Sequence, residues 1–484
     1  MNNLFSQLKF LLKDTLLYGM SSIALRFIAL ITTPIVTRML ITADYGVVDA
    51  VTVLSYILAW FTLFGQDSAI VRYYYETEDS NVRRQIVSTG FWFSTVIAIL
   101  ATLVLLLTAD IVSRAWLGID AGNTYRLMAI SLPFTVVNQH FIGLLKWTFR
   151  RIRYFIFSLG TALFTLSGIV LFVRVLGFGA SGVFMAQIMA QSIATILGII
   201  FCRDLITLPS ASLHLRRLLK FGWPFMVIAV GSFLITALDR VFVSRYLSIE
   251  DLGVYAAGSK AAALMALVTG GFQVAWGPFA FSRFKDPDAP HTFSVVLSLY
   301  TAAMLTLAIV LSTYSGPILT LLASSRYVAG QAVIGILALG LAINGIQWIT
   351  GIGIAVAERT YLTALAYAIG MTIGIGMYPL LIPVLGMIGA ALGTLIMQTL
   401  MTLLVTFFAQ KVHPYPYEFK TILIMLAITA LCIAWQTSAA LPANLMDWII
   451  RTAGGLSSIS LIGALIAYRY AKAIRIKLRK TVPL

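Results

Sequence analysis

The chain has 484 residues, 60% of them hydrophobic and 11% charged, with a mean hydropathy of +0.93. Soluble domains run near 45–50% apolar and about 25% charged, so this chain cannot present an ordinary water-facing surface. A soluble enzyme, a nucleic-acid-binding domain and a secreted disulfide scaffold are excluded, and the net charge of +16 takes its meaning from where it falls.

At about 20 residues per crossing, the apolar runs predict an all-α polytopic membrane protein with fourteen spans. They fall at 16–37, 45–64, 90–109, 127–145, 155–173, 181–201 and 222–244, then at 253–275, 294–314, 328–350, 361–382, 386–409, 421–440 and 448–468. Lys9 and Lys13 precede the first run, which lacks a short apolar core with a small-residue cleavage site and reads as an uncleaved span. Gly177 and Gly179, and then Pro383 and Gly386, mark tight turns between neighbouring spans.

Lys and Arg are retained on cytoplasmic sides. With the N-terminus inside, most of the 34 basic residues fall on alternate inner segments, leaving Arg38, Arg114, Arg126, Arg174, Arg245, Arg326 and Arg451 at outer ends. Both termini are therefore expected in the cytoplasm. Every connection is shorter than the roughly 50 residues of a small domain, and no Walker-type phosphate loop occurs. Cys202 and Cys432 lie far apart, and His140, His214, His291 and His413 show no paired spacing, so neither a disulfide framework nor a metal site is indicated.

The chain repeats itself. Residues 37–51 match residues 244–258, with Arg38/Arg245, Leu40/Leu247, Asp44/Asp251, Gly46/Gly253, Val47/Val254 and Ala50/Ala257 identical at an offset of 207, which Gln66 and Gln273 share. Each copy holds six spans, so both enter the membrane in the same direction and are expected to be related by a twofold axis along its normal, as in alternating-access transporters. The predicted organisation is an N-terminal lobe over 1–205, an amphipathic basic linker over 206–221, a second lobe over 222–410, and two extra spans with a basic tail over 411–484.

Ionisable groups inside spans face the bundle interior or water. Arg26 lies about 15 Å into the first span at 1.5 Å per residue, where it either lines a cavity or forms a buried ion pair. Lys260 lies about 10 Å inside the eighth span and either faces the cavity or snorkels outward. Asp239 and Arg240 form either an ion pair or a binding or gating element, and Asp239 is the best-placed acid for proton or cation coupling. Asp44 and Asp251 precede apolar runs and read as helix caps. Arg72, beside three tyrosines, reads with Gln66 and Gln273 as a headgroup or interface contact. The arginines of the 213–222 segment and of the 469–480 tail read as inner-leaflet contacts. The central excess of cations favours an anionic or amphiphilic-anionic substrate.

The run Leu218-Leu-Lys-Phe-Gly-Trp-Pro224, then Asp239-Arg240, then Gly253-Val-Tyr-Ala-Ala-Gly-Ser-Lys260, with Asp44-Tyr-Gly46 and Val71-Arg-Tyr73, resembles the Wzx-like polysaccharide flippases of the multidrug/oligosaccharidyl-lipid/polysaccharide exporter superfamily. The resemblance implies a V-shaped pair of six-helix lobes with two peripheral C-terminal helices. It implies as substrate a polyprenyl-pyrophosphate-linked glycan held in a cationic cavity, to which Arg26 and Lys260 are carried by position. Membrane lipids, a glycan polymerase and other polysaccharide-assembly proteins are the implied partners. No cofactor is expected beyond coupling to a proton or sodium gradient. A peptidoglycan-precursor flippase and a multidrug antiporter of the same superfamily are the alternatives. A membrane glycan polymerase or ligase would need a large outer catalytic loop, so no enzymatic activity is expected.

Overall fold

A computed structural model describes residue 28 and residues 31–117, 120–207, 214–357, 359–438 and 444–481. Most of the first expected span, with Arg26, lies outside these residues. By packing, the chain divides into two compact units, Met1–Gly253 and Val254–Leu484.

The first unit contains α1 (Thr42–Leu63), α2 (Gln66–Tyr74), α3 (Ser80–Leu117), α4 (Gly122–Trp147), α5 (Arg151–Ile169), α6 (Gly179–Cys202) and α7 (Leu215–Tyr246). A π-helical turn, Val170–Val175, continues α5. Helix α4 is central and packs against α1, α3 and α6. Its sequence carries side chains that bond across helices: Asn138 Nδ2 donates to the Gln191 carbonyl (2.8 Å) and to Gln191 Oε1 (2.5 Å), and Thr195 Oγ1 donates to Asn138 Oδ1 (3.2 Å). By contrast α3 turns a leucine- and isoleucine-rich face outward, with Leu107 87% and Ile111 71% exposed. Beside lipid tails as apolar as leucine that exposure costs nothing.

The second unit begins inside α8 (Ile249–Ala262) and continues with α9 (Met265–Arg283), α10 (Ala289–Thr313), α11 (Ser315–Leu322), α12 (Gln331–Thr350), α13 (Ile352–Val356), α14 (Tyr361–Leu385), α15 (Met387–Val412), α16 (Phe419–Ser438) and α17 (Leu445–Thr481). Helix α12 is the buried centre, packed on α10 and α15. Along α14, Gly370 and Gly374 seat Met401 and Met397 of α15, where a Cβ would come within 2.6 and 2.4 Å of those side chains. The α14–α15 turn is made at Gly386, whose φ of 58° suits a residue without a Cβ.

Helices α16 and α17 pack on α10. Arg451 of α17 is buried and donates to the Ser312 carbonyl at 3.1 Å. Arg469 pairs with Glu418 at 3.0 Å and donates to Ser294 Oγ (3.2 Å) and to Ser298 Oγ. Arg469 was grouped with the tail's lipid-facing arginines, but these partners turn it onto its own bundle. At 1.5 Å per residue the two arginines stand about 27 Å apart along α17.

Among the described residues, eleven helices are long and apolar enough to cross a membrane, or twelve if Ile249–Ala262 and Met265–Gln273, bent by 45°, count as one span. The expected fourteen are not reached there; the first expected span is largely undescribed, and the seventh falls on α7. Residues 215–221, expected in a linker, form the first turns of α7. Leu218 is buried with Ala69 and Ile86, and Arg217 pairs with Glu76 (2.7 Å) and covers the Tyr73 ring at 4.2 Å. The repeat limits follow sequence similarity, whereas the two units follow packing. Thus α7, second-copy by sequence, lies against α1, α2 and α3.

The two copies of the repeated segment touch at an equivalent residue. A Cβ on Gly46 would lie 2.3 Å from the Ile249 carbonyl, and a Cβ on Gly253 would lie 2.0 Å from the Thr42 carbonyl. Residues 42 and 249 are themselves related by the 207-residue offset, so the contact is reciprocal, as across a twofold interface. Only residues without a side chain allow backbones this close. Nearby, α1 breaks into α2 at Phe64 and Gly65, both left-handed (φ 51° and 66°), and the backbone of Gly222 on α7 presses against Gly65.

Gly46→Ala and Gly253→Ala should each destabilise the detergent-solubilised protein by about 1–3 kcal/mol, the usual cost of overpacking. Because both disrupt one contact, the double variant should lose less than the sum. SDS-titrated unfolding measures all three, and additive losses would show that the contact is not shared.

Candidate functional site

Three charged side chains, Asp49, Asp239 and Arg240, meet where α1 faces α7. Asp49 lies in the third turn of α1, in the apolar run Val47-Val48-Asp49-Ala50-Val51. Asp239 and Arg240 are neighbours on α7. Arg240 Nε donates to Asp49 Oδ2 at 3.0 Å, and Arg240 NH1 donates to Asp239 Oδ1 at 2.8 Å, an oxygen that also accepts the Arg240 backbone N–H at 2.8 Å. The side chains are 14% (Arg240), 8% (Asp49) and 5% (Asp239) exposed. Although adjacent residues on a helix point in different directions, the long Arg240 side chain reaches both its neighbour on α7 and the carboxylate on α1. Its fork geometry lets one arginine engage two carboxylates.

This arrangement brings Asp239 and Arg240 together and adds Asp49, which sequence reasoning did not place in the site. A signal was available: Asp49 is an acid inside an apolar run, and its repeat counterpart is Ala256. The charge therefore belongs to the first copy alone.

The remaining predicted residues are distributed elsewhere. Gln66 opens α2 directly after the left-handed pair; it is fully buried, and neither amide atom has a hydrogen-bond partner. Arg72, in the last turn of α2, is exposed. In the second unit, Lys260 is exposed in the last turn of α8, just before the 45° bend, and Gln273 is half-buried on α9. Arg26 lies outside the described residues.

The two repeat-related aspartates differ in setting. Asp251 and Ser248 form a capping box: Asp251 Oδ2 accepts from the Ser248 backbone N–H (3.2 Å) and hydroxyl (2.8 Å), and Ser248 Oγ accepts from the Asp251 backbone N–H (3.0 Å). Asp44 stands in the first turn of α1, where the helix dipole favours an acid. The counterpart of Ser248 there is Ile41, which provides no side-chain cap, and the Asp44 carboxylate lies 3.0 Å from the Cβ position of Gly179 at the start of α6.

Removing one member of a buried ion pair costs on the order of 3–5 kcal/mol because it strands the other charge. Arg240→Met removes the cation that two buried carboxylates share, whereas Asp49→Asn leaves the guanidinium on Asp239. Arg240→Met should therefore lower the apparent melting temperature in detergent more than Asp49→Asn. The reverse order would show that the cluster does not bind as drawn.

Comparison with known proteins bears on what this fold is for. A family model described as "Polysaccharide biosynthesis protein" matches residues 35–333. The succinoglycan biosynthesis transport protein ExoT of Rhizobium meliloti (strain 1021) is 23% identical over 341 residues, covering 67% of this chain; the match spans 65% of that relative's length. A structure of the lipid II flippase MurJ in an inward closed conformation superposes with a TM-score of 0.69 at 16% identity, over 94% of this chain and 99% of that one. An inward-facing multidrug resistance MATE family transporter of the MOP superfamily superposes with a TM-score of 0.64 at 14% identity, over 82% of this chain and 94% of that one. This multi-pass membrane chain belongs to the polysaccharide biosynthesis protein family and has the fold shared by MurJ and MATE transporters.

Proposed function

We propose that this protein is a flippase that carries polyprenyl-pyrophosphate-linked oligosaccharide units from the inner to the outer leaflet of the cytoplasmic membrane, for assembly of a surface polysaccharide. The observation that carries the reading is the family match over residues 35–333. The repeat supports alternating access as the mechanism, because two copies inserted in the same direction can rock about an axis between them. Both termini are cytoplasmic in this reading, which places the basic segments inside.

Arg26 and Lys260 hold the pyrophosphate, a ligand that cations select readily. Transport draws on a proton or sodium gradient, and the exported unit passes to a glycan polymerase. The similarity to MurJ is one of architecture at 16% identity, and the family match is what favours a glycan carrier over a peptidoglycan-precursor flippase.

The test is the sidedness of polyprenyl-linked glycans in cells depleted of the protein, read by an external glycan-binding probe on intact cells and by total lipid extraction. Completed units should accumulate out of reach of the probe, with Arg26→Ala restoring less than a tenth of wild-type exposure. Accumulation of peptidoglycan precursor with lysis, or drug sensitivity with normally exposed glycan lipids, would overturn the assignment in favour of a superfamily relative.

A further inference from the structure

A second site stands apart from the ion cluster, where the α4–α5 corner meets the end of α6. Phe149, Arg150, Arg151, Ile152, Arg153, Ile200, Phe201, Arg203 and Asp204 line an open recess of about 970 Å³. This lies within the range of known ligand pockets, roughly 300–1,000 Å³. Phe149 makes the corner in a left-handed conformation (φ 55°), which turns the chain sharply into α5 and gathers three arginines at that helix's start.

The charge balance there is unusual. Arg150 donates to Asp204 Oδ1 (2.7 Å) and to the Phe201 carbonyl (2.7 Å), and Arg153 donates to the same carbonyl (3.0 Å). Beside Arg150, the Asp204 carboxyl is held below the usual carboxylate range and stays ionised. Among the described lining residues one acid, Asp204, stands with four arginines, of which Arg203 and Arg153 are exposed. Arg150, Arg151 and Arg153 also stand at the N-terminus of α5, a 19-residue helix with no acid in its first turn. That is the positive end of the helix dipole, where cations are disfavoured and anions are bound by free amides. An anion at the mouth of the recess would add charge complementarity to the exposed Arg153 and Arg203. The apolar lining completes the pattern: Phe149 is 53%, Ile152 72% and Ile200 56% exposed, offering hydrocarbon contact beside the guanidinium groups.

We propose that this recess binds a phosphate-bearing amphiphile, the phosphate against the arginines and an acyl chain along Phe149, Ile152 and Ile200. On the orientation proposed above it opens to the inner leaflet, and its occupant is an anionic phospholipid, the phosphate-bearing amphiphile that gives that surface its negative potential. The site is independent of the transport assignment, and its test does not measure transport.

The full chain is purified in detergent, and retention of phosphatidylglycerol and phosphatidylcholine is compared by native mass spectrometry, with inorganic pyrophosphate as soluble competitor. Phosphatidylglycerol should be retained preferentially. Arg203→Gln, at an exposed position, should weaken its retention about fivefold, the usual effect of one surface arginine on anionic-lipid attraction. Arg84→Gln, on another exposed basic segment, should leave retention unchanged. Ile152→Gln should weaken phosphatidylglycerol without altering pyrophosphate binding. Displacement of the lipid by equimolar pyrophosphate would assign a soluble phosphate instead and overturn the lipid occupant. Equal retention of the two lipids, no effect of Arg203→Gln, or an equal effect of Arg84→Gln would overturn the proposal.

Discussion

Hydrocarbon gives a polar group nothing to bind, so a charge or amide at membrane depth is stabilised by a partner within the protein. Much of this structure follows from that constraint. Arg240 satisfies it by joining α7 to α1 through Asp49 and Asp239. Asn138 satisfies it by tying α4 to α6 through Gln191. At the two ends of the final span, Arg451 and Arg469 fasten that helix to α10 and to Glu418. Apolar packing between helices offers little specificity when lipid tails compete on equal terms, and these few polar contacts set which helices are neighbours.

Close backbone approach is the other organising device. The reciprocal contact of Gly46 with Ile249 and of Gly253 with Thr42 brings the two copies of the short repeated segment together within the first unit. Around it the copies have diverged in charge. The first carries Asp49 where the second has Ala256, and the second carries Ser248 where the first has Ile41. A duplicated scaffold has thus kept its contact point while its polar fittings have become individual.

The helical class was legible from hydropathy, and the turns at Gly177–Gly179 and Gly386 were legible because they need positive φ. The repeat was legible because identities such as Arg38/Arg245 and Gly46/Gly253 sit at one offset. Within the ion cluster, Asp239 and Arg240 were visible as adjacent charges in an apolar run. Their engagement with Asp49 was not, because it joins positions 191 residues apart and depends on the rotation of two helices. The same holds for Arg469, read with its basic neighbours as a lipid contact although Glu418 and Ser294 claim it. Local periodicity reports which residues are buried, but not which partner waits for them. The 215–221 segment shows the complementary limit: interleaved leucines and arginines look like a surface helix until Leu218 proves to be packed beneath Ala69 and Ile86.

The two arginines of α17 carry a consequence for the surrounding membrane. They bracket an apolar stretch close to the thickness of a bilayer core, about 30 Å, and each is fastened to protein, so the helix cannot slide to suit a thicker or thinner film. Mismatch is commonly relieved by tilt or by snorkelling of flanking residues. Here both routes are restrained, and the lipid beside this face must adjust instead. The last helix thereby acts as a gauge, favouring bilayers whose hydrocarbon depth matches the interval between Arg451 and Arg469.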